Sequence, residues 1–163
     1  MPRWARGLTL IELVIALAVL VVLGALALPT LGARLERQRL DTVAEMLVAD
    51  INEARFEAAR QGRAMHIVLQ PGGGWCWAVA TQATCPCGQA QACELRSARG
   101  ADHAGVALVQ GQTLHLQSTG QAEAPGSALL ESRSGNQLRV ELQSLGRARI
   151  CAARGAHTRY PSC

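Results

Sequence analysis

The sequence predicts an α+β fold: a long N-terminal membrane-spanning α-helix packed on a small antiparallel β-sheet domain. Three observations carry that prediction. Residues 13–33 form an apolar run without a charge. A stripe of apolar residues follows it at three- and four-residue steps. Beyond Gly62, short β-prone runs are separated by glycine and proline turns. The chain divides accordingly into a basic N-terminal segment (1–7), a transmembrane helix (8–33), its amphipathic continuation (34–62) and a β domain (63–163).

The leader, Met1 to Arg6, is basic, with Arg3 and Arg6. Cations before an apolar span set that end on the cytoplasmic side, so the remainder is exported. The 21 uncharged residues rise about 1.5 Å each and cover roughly 30 Å, one bilayer core. Glu12 lies just inside this greasy segment. A lone carboxylate there costs about 2.5–3.5 kcal/mol at a helix centre and less near an interface, so a cationic partner is expected. Pro29 is expected to bend or locally melt the helix near the end of the run. Leu40, Val43, Leu47, Ile51, Ala54 and Ala58 then place one apolar face against a core, charges cover the other faces, and Gly62 is the expected stop.

In the β domain, strands are expected near 64–69, 75–81, 106–109, 113–117, 128–132, 137–143 and 147–151. Aromatics are few, so Val, Leu and Ile must supply most of the packing. Residues 82–104, rich in Ala, Gln, Cys and Gly, are expected to be a loop stapled by cysteines. Cys76, Cys85, Cys87, Cys93, Cys151 and Cys163 are an even count in an exported domain, where disulfides are the default. A Cys151–Cys163 bond would tie down the C-terminal tail and contribute roughly 3 kcal/mol in the chain-entropy model. The other four are expected to form two links across the loop. A four-cysteine zinc site at the same positions is the alternative, although the one close pair is separated by a single residue.

The segment Gly7-Leu8-Thr9-Leu10-Ile11-Glu12 resembles the class III signal of type IV pilins and type II secretion pseudopilins. Their pattern is a basic leader, Gly, a cut, an apolar residue (usually Phe) and Thr-Leu-Ile-Glu. The resemblance implies cleavage after Gly7 by a prepilin peptidase and methylation of the Leu8 amine. That amine would be the cation near Glu12. It also implies a type IV pilin-like fold, residence in the inner membrane with a periplasmic C-terminal domain, and assembly with other pilins through the N-terminal helix. The C-terminal half is similar to the GspH/FimT minor pilin and pseudopilin family in Leu114-His115-Leu116, Gly120, Gly126-Ser127, Leu138 to Leu142 and Gly146-Arg147-Ala148-Arg149-Ile150-Cys151. Ser127 stands where that family usually has Thr.

The net charge is only +4, but from Arg133 to Cys163 six arginines face one acid, Glu141. Arginine forks suit phosphate oxygens. Charged edge strands that resist aggregation give the same pattern. In the FimT branch a Gly-Arg-x-Arg motif is associated with DNA binding, and Gly146-Arg147-Ala148-Arg149 matches it. The resemblance therefore implies a minor pilin that binds DNA without sequence preference during DNA uptake. Arg147 and Arg149 carry the contact, with Arg139, Arg154 and Arg159 assisting. The alternatives are a GspH-like type II secretion pseudopilin and a FimU-like subunit that primes pilus assembly, neither binding DNA. His66, His103, His115 and His157 are scattered without metal-ligand spacing, and no nucleophile or phosphate-loop motif appears, so neither an enzyme nor a cofactor is expected.

Overall fold

The computed structural model describes residues 9–88, 92–155 and 159–163, with backbone only for 25–31. The expected cleavage and methylation positions Gly7 and Leu8, and His157, lie outside the described residues, as does the side chain of Pro29.

Among the described residues one α-helix, α1 (Leu10–Gln61), is followed by eight strands and a short 3-10 turn at Gly100–Asp102. Thr9 caps α1: its hydroxyl oxygen accepts the Glu12 N–H at 3.3 Å and its carbonyl accepts the Leu13 N–H at 3.2 Å. Thr9-x-x-Glu12 thus occupies the positions of a capping box. At the other end Gly62 has φ 64°, and the Arg63 N–H reaches back to the Ala58 carbonyl. That closes a Schellman turn, which a residue with a side chain would strain. The helical assignment is unbroken through Pro29, so the local melting expected there does not occur.

The N-terminal unit ends at Leu35. Within it, Leu10, Ile11, Leu13, Val14, Ile15, Leu17, Val19, Leu20, Val21, Val22 and Leu23 are all exposed, so apolar side chains cover the whole circumference. Among the described residues no helix is long and apolar enough to cross a membrane. The span expected over 8–33 falls in part on residues outside that description.

The second unit, Glu36–Cys163, contains the core. Its strands are β1 (Met65–Gln70), β2 (Cys76–Ala80), β3 (Glu94–Arg99), β4 (Val106–Gly111), β5 (Leu114–Leu116), β6 (Gly126–Ser132), β7 (Gln137–Leu142) and β8 (Ala148–Arg154). They form two four-stranded antiparallel sheets, ordered β3-β2-β1-β5 and β4-β6-β7-β8. The expected stripe Leu40, Val43, Leu47, Ile51, Ala54 and Ala58 is buried, together with Ala44, against inward residues of both sheets. Alternation assigns the faces. Met65, Ile67 and Leu69 point into the core, as do Leu138, Val140 and Leu142, while the residues between them face outward.

Two tryptophans anchor the first sheet. Trp75 stacks on Trp77 at 5.3 Å between ring centroids and donates to the Val106 carbonyl at 2.9 Å. Trp77 is fully buried and donates to Asp50 at 2.7 Å. Asp50, itself 2% exposed, also takes Arg96 at 3.2 Å. A carboxylate inside a core is costly unless paired in this way.

β3 corrects the sequence reading, which placed a loop over 82–104. Only Ala98 of this strand is buried, and Leu95 is exposed. As an edge strand beside β2 it lacks the two-sided pattern that marks an internal one. The disulfides are Cys76–Cys87, Cys85–Cys93 and Cys151–Cys163. With their sulfurs bonded in pairs, the four loop cysteines offer no thiolates to zinc.

Candidate functional site

The expected arginine surface forms on the outward face of the second sheet. Antiparallel pairing puts Arg149 of β8 opposite Glu141 of β7, and Arg139 opposite Cys151. The arginines sit diagonally on one face. Arg139 and Arg149 line one open pocket of about 500 Å³ with Glu141, Ser127, Gln143 and Ser144. Arg149 is not free within it: Nε donates to Glu141 at 2.8 Å and the terminal nitrogen at 2.7 Å. Arg147 precedes β8, exposed on the turn, and Arg154 is exposed at the far end of that strand.

Arg159 is not part of this group. Its guanidinium lies 2.7 Å from Glu45 on α1 and 5.7 Å from the Tyr160 ring. Tyr160 donates to the same carboxylate at 2.9 Å. Burial, helped by that bond, pushes the Tyr160 hydroxyl up to about 12. Cys163 is bonded to Cys151, while Pro161 and Cys163 bond the backbone of Ala152, so the tail is held to β8 and α1 together. Glu141 also lies near Cys151 and Cys163, but their sulfurs are bonded to each other and present no metal-binding thiolate.

Gly146 is there for packing. Its φ is +75°, and a Cβ would stand 2.0 Å from the Gly120 carbonyl oxygen. Gly120, at φ +78°, in turn lies against the backbone of Arg55 on α1. The two turns are nested on the helix, and this contact directs the chain into β8 and sets where Arg147 and Arg149 emerge.

The sequence reading missed one pair. His66 of β1 and His115 of β5 are opposite each other, with Nδ1 atoms 2.9 Å apart. Burial, followed by the charge of His115, holds the His66 imidazole below its ordinary range, and Glu123 opposes this. The available signal was a shared pattern: each histidine sits between apolar residues, Met65-His66-Ile67 and Leu114-His115-Leu116.

The buried half of α1 and most of the two-sheet domain are matched by a known family. The model described as Type II transport protein GspH matches residues 43–146. The chain belongs to the GspH family. The match runs from the buried stripe of α1 to Gly146 and stops before Arg147. Two crystal forms of Pseudomonas aeruginosa type IV minor pilin FimU are similar in structure. One has a TM-score of 0.56 at 20% identity, covering 75% of this chain and 98% of that one. The other has 0.55 at 18%, covering 72% and 100%. This likeness establishes the fold of the GspH-family chain as pilin-like. A search of curated proteins found no match.

Proposed function

We propose that this GspH-family chain is a low-abundance structural subunit of a type IV pilus or a type II secretion pseudopilus. It is cleaved after Gly7, methylated at Leu8, held in the inner membrane by residues 8–33 and built into the filament through that helix. The observation that carries this is the exposed apolar circumference of α1 from Leu10 to Leu23, joined to a pilin-type domain. Such a surface needs lipid or neighbouring helices around it. Glu12 selects the partner: in a low-dielectric bundle its charge is satisfied by the Leu8 amine of its own or a neighbouring chain. Glu12→Ala should insert in the membrane normally but be missing from sheared filaments. Wild-type incorporation of the variant would refute the role given to Glu12. Gly7→Val should leave the leader uncut, and mass spectrometry of a normally processed variant would refute the cleavage site.

A second reading adds non-specific DNA binding. It is favoured by the convergence of Arg139 and Arg149 on one pocket, with Arg147 exposed close by in sequence. Each phosphate neutralised contributes about −0.9 to the slope of log K against log salt, so two to four arginines give about −2 to −4. Because Glu141 occupies Arg149, Glu141→Gln should tighten binding, whereas replacing Arg147 and Arg149 with Gln should flatten the slope by about two units. Fluorescence anisotropy of the detergent-solubilised chain on duplex DNA is the assay. No binding at low salt leaves the purely structural subunit.

A further inference from the structure

We propose that His66 and His115 form a binding site for a divalent transition-metal ion, with copper(II) or nickel(II) preferred and the nearby Glu123 carboxylate adding negative charge. The site is set by sheet register. β1 and β5 pair Met65 with Leu116, His66 with His115 and Ile67 with Leu114. The flanking residues are buried in the core, so both imidazoles are turned to the outer face, where they are half-buried. The rings meet edge to face, with centroids 5.0 Å apart and planes at 79°. Their Nδ1 atoms face each other, 2.9 Å apart.

That separation is a chelating distance. Metal–nitrogen bonds of about 2.0–2.1 Å to two nitrogens 2.9 Å apart subtend about 90°. A right angle is the cis angle of a tetragonal or square-planar ion, whereas a tetrahedral zinc site needs the nitrogens further apart. Copper(II) and nickel(II) are the ions that suit this angle and imidazole donors.

Glu123 is placed by the backbone. Its N–H donates to the His115 carbonyl at 2.9 Å, and its carboxylate acts electrostatically on His66. Its side chain is exposed and can swing, and it lines an open pocket of about 330 Å³ with His115, Gln112 and Thr113. The pocket gives an ion and its remaining waters access from the His115 side.

Without metal, one Nδ1–H must donate to the other Nδ1. Metal takes both Nδ1 lone pairs. The shared proton leaves, and the ring that held it takes a proton at Nε2. Both imidazoles stay neutral, and no net proton is released above the ordinary imidazole range.

The test uses the full, oxidised chain in detergent micelles at neutral pH. One equivalent of copper(II) should give an electron paramagnetic resonance spectrum with coupling to two imidazole nitrogens. His66→Gln and His115→Gln should each weaken binding by at least the about tenfold that loss of an outer-shell partner costs. His103→Gln should leave binding unchanged. Glu123→Gln should lower the affinity by less than either histidine replacement, and an unchanged value removes the carboxylate from the site. Nickel should bind more tightly than zinc, and the reverse order overturns the right-angle geometry. A double variant, His66→Gln with His115→Gln, that keeps the wild-type spectrum and affinity overturns the site itself. For the wild-type chain alone, nickel should broaden the imidazole nitrogen resonances of His66 and His115 before those of His103. Equal broadening of all three overturns the proposal without relying on any variant.

Discussion

Replacing Gly146 with Ala tests the nested turns directly. The new methyl carbon would sit 2.0 Å from the Gly120 carbonyl oxygen and 3.2 Å from Arg55 Cδ. The first contact is with backbone, so a turn must move rather than a side chain rotate. Two costs add. A left-handed conformation costs a residue with a Cβ about 1–2 kcal/mol, and forcing extra volume into a packed contact costs about 1–3 kcal/mol. The sum is about 2–5 kcal/mol. The unit from Glu36 to Cys163, roughly 130 residues, has an unfolding entropy near 0.27 kcal/mol/K, so the melting temperature should fall by about 7–18 °C. Gly135→Ala is the matched control. Its φ is +79°, but nothing lies within 4 Å of the added carbon. It incurs only the conformational cost, about 4–7 °C. Differential scanning calorimetry of both variants and the wild type, oxidised and in the same detergent, separates the two terms. Equal melting temperatures for the two variants would refute the argument that Gly146 is fixed by contact with Gly120.

Three other outcomes are expected. Asp50→Ala leaves the buried Trp77 N–H without an acceptor and should cost about 1–3 kcal/mol in a urea titration, with Asp50→Asn closer to wild type. Tyr160 is the single tyrosine, so its phenolate absorbance should rise with a midpoint at about 12, and Glu45→Gln should bring that midpoint down. The folded pKa is raised above the ordinary 10.0, so this group's stabilisation is complete below pH 10 and is lost as pH rises through 12. A wild-type midpoint at the ordinary value would show that the tail is not docked. Replacing Cys151 and Cys163 with Ser opens a loop of 12 residues and should cost about 3 kcal/mol by thermal or urea unfolding.

The helix was legible because its signals are local. The period of Leu40 to Ala58 and the stop at Gly62 depend on neighbours within two turns. Seven of the eight strands carry alternation or a bracketing turn, and the exception, β3, shows why that signal fails. Its charges and exposed Leu95 satisfy an edge, so burial leaves almost no mark on its sequence. The same division holds for the candidate sites. That Arg139 and Arg149 share a sheet surface depends on the register of β7 against β8. That Glu141 holds Arg149, and that Glu45 holds Arg159, depends on pairings between elements. His66 and His115 are 49 residues apart, and only the placement of β5 beside β1 joins them.

The order of the cysteines has a consequence for how the chain matures. The Cys76–Cys87 bond encloses Cys85, and the Cys85–Cys93 bond encloses Cys87, so the two links interlock. A chain oxidised from its N-terminus as it emerges meets its cysteines in the order 76, 85, 87, 93. Joining each thiol to the next one available gives 76–85 and 87–93, neither of which is native. Both wrong bonds must be exchanged through mixed disulfides before β2 and the covering loop reach their final arrangement. The Cys151–Cys163 pair, last to emerge, has no such competitor once the first four are settled. If the thiols are joined in that order, reaching the native pairs requires disulfide isomerisation as well as oxidation, and an oxidant acting alone would leave a scrambled first sheet beside a correctly closed tail.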